Sequence, residues 1–311
     1  MVKKRDTYNK LCGEQRNLLT NEKSWKYLSP GVNIIVHRPS SFSSASFNNL
    51  LNKLAMRAPI FFAAIFSFFF LFDHLLVKPF AKPKARYFIL HVVFNFWLSI
   101  TVWSSAMIAL LDPQNALYGD NDPTPSSNFY TFTYTHGIGF TDSQIATTAG
   151  IASFHCYHAI FFTGIRKEEW IHHIVSCAIV PAIGLNMPFA RVVDVSNLGM
   201  CGIPGGIDYL LLALQKSESR FAPSRLIQKR ISALLNLLVR WPIMLISSYM
   251  FLIGWINGTL AETSHNSFVP WLMFVGVVLH TANAAYYAHK VIGNYHVVKF
   301  QDNEAKKNKE K

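Results

Sequence analysis

The sequence predicts an all-α fold, a polytopic membrane helical bundle with about seven transmembrane helices around a polar cavity. Hydrophobic residues make up 51% of the 311-residue chain and charged residues only 15%, against roughly 25% charged residues in ordinary soluble domains. Seven apolar stretches approach the roughly 20 residues that a helix needs to cross a bilayer. Ionisable side chains lie inside these stretches, and each of them needs a partner or water within the bundle.

Composition divides the chain into three parts. Residues 1–57 form a polar and basic N-terminal arm, which is predicted to be largely irregular apart from a short interfacial helix at 48–57. The transmembrane domain is predicted at 58–295. A basic tail at 296–311 follows it.

Seven predicted spans, separated by loops, make up the transmembrane domain. They lie at 58–77, 87–111, 142–165, 171–187, 193–214, 231–256 and 268–290. The fourth is short, and the fifth is predicted to be broken or kinked because it contains Gly199, Gly202 and Pro204. Asp73 and His74 interrupt the first span, which leaves open that this stretch re-enters the membrane without crossing it.

The Lys and Arg content of the loops predicts the orientation, because cytosolic loops carry an excess of these residues. Basic loops follow the first, third and fifth spans, whereas residues 112–140 and 257–267 contain neither Lys nor Arg. The C-terminus is therefore predicted to be cytosolic. Seven crossings then put the basic arm in the lumen, a conflict that the sequence leaves open. Lys307 and Lys309 resemble the dilysine retrieval signal, which predicts a multi-pass protein of the endoplasmic reticulum membrane.

The net charge of +12 does not predict a nucleic-acid partner, because the basic residues cluster in short loops between apolar stretches. The expected partners are membrane lipids and the bilayer itself, and association into a homo-oligomer stays open. The four cysteines have neither a disulfide framework nor zinc-site spacing. We therefore expect no metal site and no bound cofactor.

Ionisable side chains inside the predicted spans are the main candidates for function. They are His91, His155, His158, His172, His173, Asp194, Asp208, Arg240 and His280. An Asp or Arg facing lipid at the centre of a span costs about 2.5–3.5 kcal/mol on insertion scales. We therefore expect these side chains to converge on one polar cavity, except that His91 fits an interfacial position equally well.

The adjacent pair His172 and His173 is the strongest catalytic candidate. Neighbouring helix positions point about 100° apart, so one imidazole can face the cavity while the other orients it. Imidazole titrates near neutrality, and the pair is predicted to act as a general base or as an acyl acceptor. Asp208 is predicted to fix an imidazole tautomer or to hold a polar headgroup, or alternatively to pair with Arg240.

The remaining buried polar groups are predicted to bind substrate. His155 and His158 lie three residues apart on one helix face; hydrogen bonds across helices are the alternative for both. Arg240 is predicted to bind an anion or to form a structural salt bridge with a buried Asp. Asp194 and His280 complete this group.

Two motifs resemble the TLC-domain family, which includes ceramide synthases and translocating-chain-associated membrane proteins. Arg166-Lys167-Glu168, followed by His172-His173-Ile174-Val175-Ser176, resembles the family signature Arg-Lys-Asp, a few residues, then His-His-x-x-Thr. The stretch from Asp208 to Lys216 resembles the family's Asp-x-x-Leu-x-x-Ala-Lys, and 280–287 is similar to its final helix. The resemblance covers roughly residues 58–295.

This resemblance implies a bundle of six or seven spans around a central cavity in the endoplasmic reticulum. In the family's ceramide synthases, paired histidines and a downstream His-Asp-x-x-Asp motif serve acyl transfer from acyl-coenzyme A to a sphingoid amine. His172 and His173 match the pair and Asp208 matches the last Asp. Pro204 and Gly205 stand where the family has His and Asp, which is a departure from the synthase pattern.

The predicted function is therefore lipid handling in sphingolipid or acyl-lipid metabolism. One form is a lipid-binding, transport or trafficking factor. The other is an acyltransferase that uses acyl-coenzyme A as co-substrate and a lipid amine or hydroxyl as acceptor. The alternatives are a membrane histidine-box hydroxylase or desaturase, although the compact His-x-x-His-His box is absent, and a transporter with broken helices.

Overall fold

The computed structural model describes residues 25–29, 32–36, 44–113, 142–162, 167–174, 184–185, 190–256 and 268–309. The chain divides into two compact units, Met1–Ser44 and Ala45–Lys311. The first unit contains a hairpin that the sequence prediction lacked, in which strands β1 (Trp25–Ser29) and β2 (Val32–Val36) pair antiparallel. Their aromatic and β-branched residues favour strands, and the sequence Pro-Gly between them favours a turn.

The second unit is built from helices. They are α1 (Ser44–Phe72), α2 (Pro83–Leu111), α3 (Asp142–Phe161), α4 (Lys167–Ile174), α5 (Ala190–Asn197), α6 (Ile203–Lys216), α7 (Arg225–Leu235), α8 (Trp241–Ile256) and α9 (Phe268–Lys309). Three π-helical turns continue α1, α5 and α7. They are Asp73–Val77, Leu198–Gly202 and Asn236–Arg240. A short helix, Lys78–Phe80, follows the first turn.

Four helical segments of the described ranges are long and apolar enough to cross a membrane. They are Arg57–Phe80, Pro83–Leu111, Arg191–Lys216 and Arg225–Ile253. These four coincide with the first, second, fifth and sixth predicted spans. Helices α3 and α9 cover the third and seventh, whereas most of the fourth, 171–187, lies outside the described residues. The total of seven spans stays a prediction.

Two predicted boundaries do not interrupt the helices. The interfacial helix expected at 48–57 is part of α1, and the expected tail boundary at 295 lies inside α9. The composition changes from polar to apolar near 57 and from apolar to polar near 295. A helix can continue through such a change, because its backbone hydrogen bonds do not depend on whether its surroundings are apolar or aqueous. In the tail, Lys306 pairs with Asp302 at 2.8 Å on the same helix face, and this contact raises the pKa of the Lys306 ammonium.

Helix α2 packs against α3, α5 and α6. The predicted break in the fifth span is a π-helical turn, after which α6 lies very close to α2. A Cβ at Gly202 would lie 2.9 Å from Ser99 Oγ, and one at Gly205 only 2.8 Å from Asn95 Nδ2. Glycine at these two positions therefore permits the close helix contact.

Aromatic side chains fill the space between α1, α2 and α3. Phe154 of α3 stacks on Phe94 of α2, with ring centroids 4.2 Å apart, and lies 4.7 Å from Phe69 of α1. All three rings are buried. This packing fixes the two helices, α2 and α3, that carry most of the candidate site.

Candidate functional site

Four histidines from three helices come together beside this aromatic core. We call His91, His155, His158 and His173 the imidazole cluster. His91 of α2 stacks on His158 of α3 at 4.5 Å between ring centroids. His173 of α4 lies 5.3 Å from His155 and 6.1 Å from His158. The structure thus brings three predicted site residues together and adds His91, for which the sequence left an interfacial position open.

In two of the imidazoles the contacts show which ring nitrogen donates a hydrogen bond. Nδ1 of His91 lies 2.8 Å from the Tyr87 carbonyl oxygen, and Nδ1 of His155 lies 2.7 Å from that of Ile151. A carbonyl oxygen only accepts, so both Nδ1 atoms donate. In a neutral ring this leaves Nε2 as an acceptor and a base.

His158 occupies the middle of the cluster and is fully buried. Neither of its ring nitrogens has a hydrogen-bond partner within the described ranges. Leaving a buried polar group without a partner costs about 1–3 kcal/mol. Its neighbours are largely aromatic, with the Phe154 ring edge-on at 4.1 Å and Tyr87 at 5.0 Å. His158 therefore presents one donor and one acceptor to any group that reaches it.

A tyrosine from α6 closes another side of the cluster. Tyr209 stacks on His91, with ring centroids 4.2 Å apart and planes inclined by 28°, and it also meets Tyr87 edge-on. Helices α2, α3, α4 and α6 thus all contribute to one site.

An ion pair that the sequence did not predict lies next to the cluster. Asp73 is fully buried and accepts hydrogen bonds from Arg86, whose Nε lies 2.8 Å from Oδ1, and from the Tyr157 hydroxyl. Arg86 also covers the Phe162 ring at 4.5 Å. The contact ties α1, α2 and α3 together. Asp73 thus has a cationic partner inside the protein, and whether the first span crosses or re-enters stays a prediction.

Asp208 does not lie at the cluster but at a row of polar residues on α7. It accepts hydrogen bonds from Gln228 Nε2 at 3.1 Å and from the Ser232 hydroxyl. Among the described residues these contacts, and none with the imidazole cluster, are found for Asp208, whereas a role of Asp208 at His172 stays a prediction. Asp208 and Tyr209 are neighbours on α6 and point about 100° apart, and it is Tyr209 that stacks on a histidine.

Arg240 bonds to a neutral residue rather than to an Asp, and the predicted binding of an anion stays a prediction. Its Nη1 donates to Asn236 Oδ1 at 2.7 Å, and no salt bridge with an Asp is found for it in the described part of the chain. Asn236 in turn donates to the Ser232 carbonyl at 2.8 Å. We call Gln228, Ser232, Asn236 and Arg240 the polar ladder, because they follow one another at intervals of four residues.

The other predicted site residues lie elsewhere. Asp194 of α5 accepts a 2.8 Å hydrogen bond from Ser143, which lies 15 residues before His158 and hence about 22 Å away along α3. His280 Nδ1 lies 2.6 Å from the Ser196 hydroxyl. The candidate residues whose side chains are described thus form separate polar groups, and the polar cavity stays a prediction. His172 belongs to α4, but its side chain lies outside the described residues, as does all of Arg166.

Several residues of this site could have been found in the sequence. The polar ladder is readable as an i, i+4 series that ends at the intramembrane arginine. Three of its members are neutral and therefore do not stand out as charged residues in a span. Among the residues that the structure describes, no three His, Cys, Asp or Glu side chains are placed to hold a metal ion.

Comparison of the chain with protein-family models, with curated proteins and with solved structures finds no match. The resemblance to the TLC-domain family, and the location and chemistry that it implies, therefore stay predictions.

Proposed function

We propose that this chain is a multi-pass membrane protein that binds lipids at the imidazole cluster and serves sphingolipid or acyl-lipid metabolism in the endoplasmic reticulum. The observation that carries the proposal is His158, which is fully buried with both ring nitrogens open. A lipid hydroxyl, amine or acyl carbonyl can take up those hydrogen bonds, and the surrounding aromatic rings provide apolar surface for its chain.

Binding is the form of this function that the contacts support best. Acyl transfer by a histidine is usually supported by a carboxylate that orients the ring. Here Asp208 bonds to α7 instead, and Gly205 packs against Asn95 where the resembled family has a carboxylate. The cluster therefore resembles a binding site with bases more than a complete catalytic centre.

Acyl transfer is the second candidate, because His91 and His155 both leave Nε2 free of the proton in their neutral form. One such imidazole would take a proton from a lipid amine or hydroxyl as that atom attacks the thioester of acyl-coenzyme A. The new bond joins the acceptor to the acyl carbon, the carbon–sulfur bond breaks, and the proton passes to the coenzyme A thiolate.

Lipid retained by the purified protein tests the binding proposal. Wild type and His158→Gln are purified from the same membranes, and their bound lipids are compared by mass spectrometry. We expect one class of lipid to be enriched on the wild type and to fall at least tenfold on the variant, since tenfold corresponds to about 1.4 kcal/mol, the size of a hydrogen bond. His289→Gln, an exposed histidine of α9, is the matched control. Identical lipid profiles for all three proteins would contradict the proposal.

Microsomes that contain the protein test the second candidate. They are given acyl-coenzyme A with a sphingoid base or another lipid amine or alcohol, and product is measured for wild type, for His91→Ala and His155→Ala, and for His172→Ala and His173→Ala. Product formation that survives all four single substitutions would show that none of these imidazoles is the catalytic base. Solute flux through liposomes that contain the protein would favour the transporter alternative instead.

A further inference from the structure

The polar ladder begins with Gln228, near the N-terminal end of α7, and ends with Arg240, near the middle of the candidate span Arg225–Ile253. Gln228, Ser232 and Asn236 are each buried, and Gln228 Nε2 donates to Ser232 Oγ at 2.9 Å. Twelve residues separate Gln228 from Arg240, so the ladder is about 18 Å long. Asp208 lies at its outer end and Arg240 at its inner end. The ladder thus has a carboxylate at one end and a guanidinium at the other.

Arg240 is the member of the ladder whose hydrogen bonding is incomplete. A guanidinium has five N–H donors, and the only acceptor found for it within the described ranges is the Asn236 amide. Its Nε is buried without a partner there. Arg240 is also the 16th of 29 residues in the candidate span Arg225–Ile253, so it lies near the middle of that span.

The carboxylate of Asp208 is too distant to neutralise this charge. Asp208 contacts Ser232, which precedes Arg240 by eight residues, or about 12 Å along the helix axis. An ion pair needs a separation of about 4 Å or less. An arginine within a span normally has an anionic partner or water, and the described residues supply no such anion.

The backbone around Arg240 is specialised. Arg240 ends the π-helical turn Asn236–Arg240. This turn packs against a second π-helical turn, Leu198–Gly202. Such turns occur often at functional sites. Leu237 and Leu238 belong to the same π-helical turn as Arg240 and are 52% and 65% exposed. A cationic group thus lies beside apolar surface that is open to an acyl chain.

We propose that Arg240 binds the anionic head of an amphiphile, with a carboxylate or phosphate on the guanidinium and the acyl chain along the exposed leucines. The planar guanidinium matches both oxyanions, which accept two parallel hydrogen bonds. Asn236 holds the guanidinium in place through the Nη1 contact. This site lies on the π-helical turn that continues α7 and uses no residue of the imidazole cluster, so it does not rest on the function proposed above.

Competition binding tests the site with the full chain purified in detergent. Radiolabelled oleate is the probe, and methyl oleate and oleoyl lysophosphatidate are the competitors. We expect methyl oleate, which has the same chain without the charge, to compete at least tenfold more weakly than unlabelled oleate. The tighter binder among oleate and lysophosphatidate identifies the carboxylate or the phosphate as the preferred head. This comparison needs only the wild-type protein.

Variants then assign the binding to the arginine. Arg240→Gln is expected to weaken oleate binding at least tenfold and Arg240→Lys by less, because lysine keeps the charge but loses the planar fork. The matched control is Arg230→Gln, which removes an exposed cation of the same helix and should change binding less than twofold. Equal affinity for oleate and methyl oleate, or equal binding by wild type and a folded Arg240→Gln protein, would overturn the proposal.

Discussion

Replacing Gly199 by alanine tests whether the close contact at the π-helical turn is required. The new Cβ would lie 2.6 Å from Ile243 Cγ2 and 2.9 Å from Ile243 Cβ. Ordinary contact begins at 3.4 Å, so the first pair of atoms must separate by 0.8 Å. Isoleucine is stiff at χ1 and cannot easily turn its methyl group away. Overpacking of this kind typically destabilises a protein by about 1–3 kcal/mol.

Alanine also favours the helix by about 1 kcal/mol over glycine, and this gain must be separated from the clash. Gly293 of α9 provides the control, because a Cβ there would meet nothing within 4 Å. Both substitutions carry the propensity gain and only Gly199→Ala carries the clash. We therefore expect Gly199→Ala to be less stable than Gly293→Ala by about 1–3 kcal/mol.

Reversible unfolding in mixed micelles of mild and denaturing detergent measures this difference as a free energy of unfolding. Gly293→Ala should be as stable as wild type or slightly more stable, by up to about 1 kcal/mol. If both variants gain the same stability, α5 can move away from α8 without loss, and the argument that glycine is needed for the close contact is wrong.

Three further substitutions test contacts at the ends of the helices. Asp73→Asn should destabilise the protein by about 3–5 kcal/mol, because it leaves the Arg86 charge unpaired in a largely buried place. Tyr157→Phe removes one donor to the carboxylate and should cost about 1.5–3 kcal/mol. If thermal unfolding shows that Tyr157→Phe is the less stable of the two variants, the ion pair is dispensable. The Lys82 ammonium lowers the pKa of the exposed Glu218 carboxylate, so the small stability advantage of wild type over Glu218→Gln should be present at neutral pH and vanish as the pH falls through that lowered pKa. A pH series of melting temperatures that shows the advantage growing in acid would contradict this sign.

The sequence predicts the strongly apolar helices well, because a bilayer requires long apolar segments whatever their neighbours are. It also predicts that His155 and His158 share a helix face, since spacing alone decides that. The proximity of His173 to both follows from the cost of leaving imidazoles in lipid, and the structure places it there.

The partners of the charged residues could not be predicted in the same way. Asp73 interrupts an apolar stretch, and its sequence neighbours do not show that Arg86 and Tyr157 reach it from two other helices. Charge alone predicts that Asp208 contacts an imidazole or Arg240, and that Arg240 binds an anion or a buried Asp. The neutral Ser232 and Asn236 lie between them instead, and a search for charges passes over neutral residues.

The β-hairpin shows the opposite error. Its signal is local, with strand-forming residues on both sides of Pro30-Gly31, whereas the polar and basic composition of the whole arm predicts irregular structure. The local pattern is the better guide here, because composition describes solubility better than backbone conformation.

The pairing of Asp73 with Arg86 has a consequence for how the chain enters the membrane during synthesis. The two residues are 13 positions apart and belong to consecutive helices, so their charges can cancel as soon as this first hairpin has left the ribosome. Tyr157 arrives more than 70 residues later and joins a carboxylate that is already neutralised. The hairpin can therefore enter the bilayer with the Asp73 carboxylate already paired, before α3 has been synthesised.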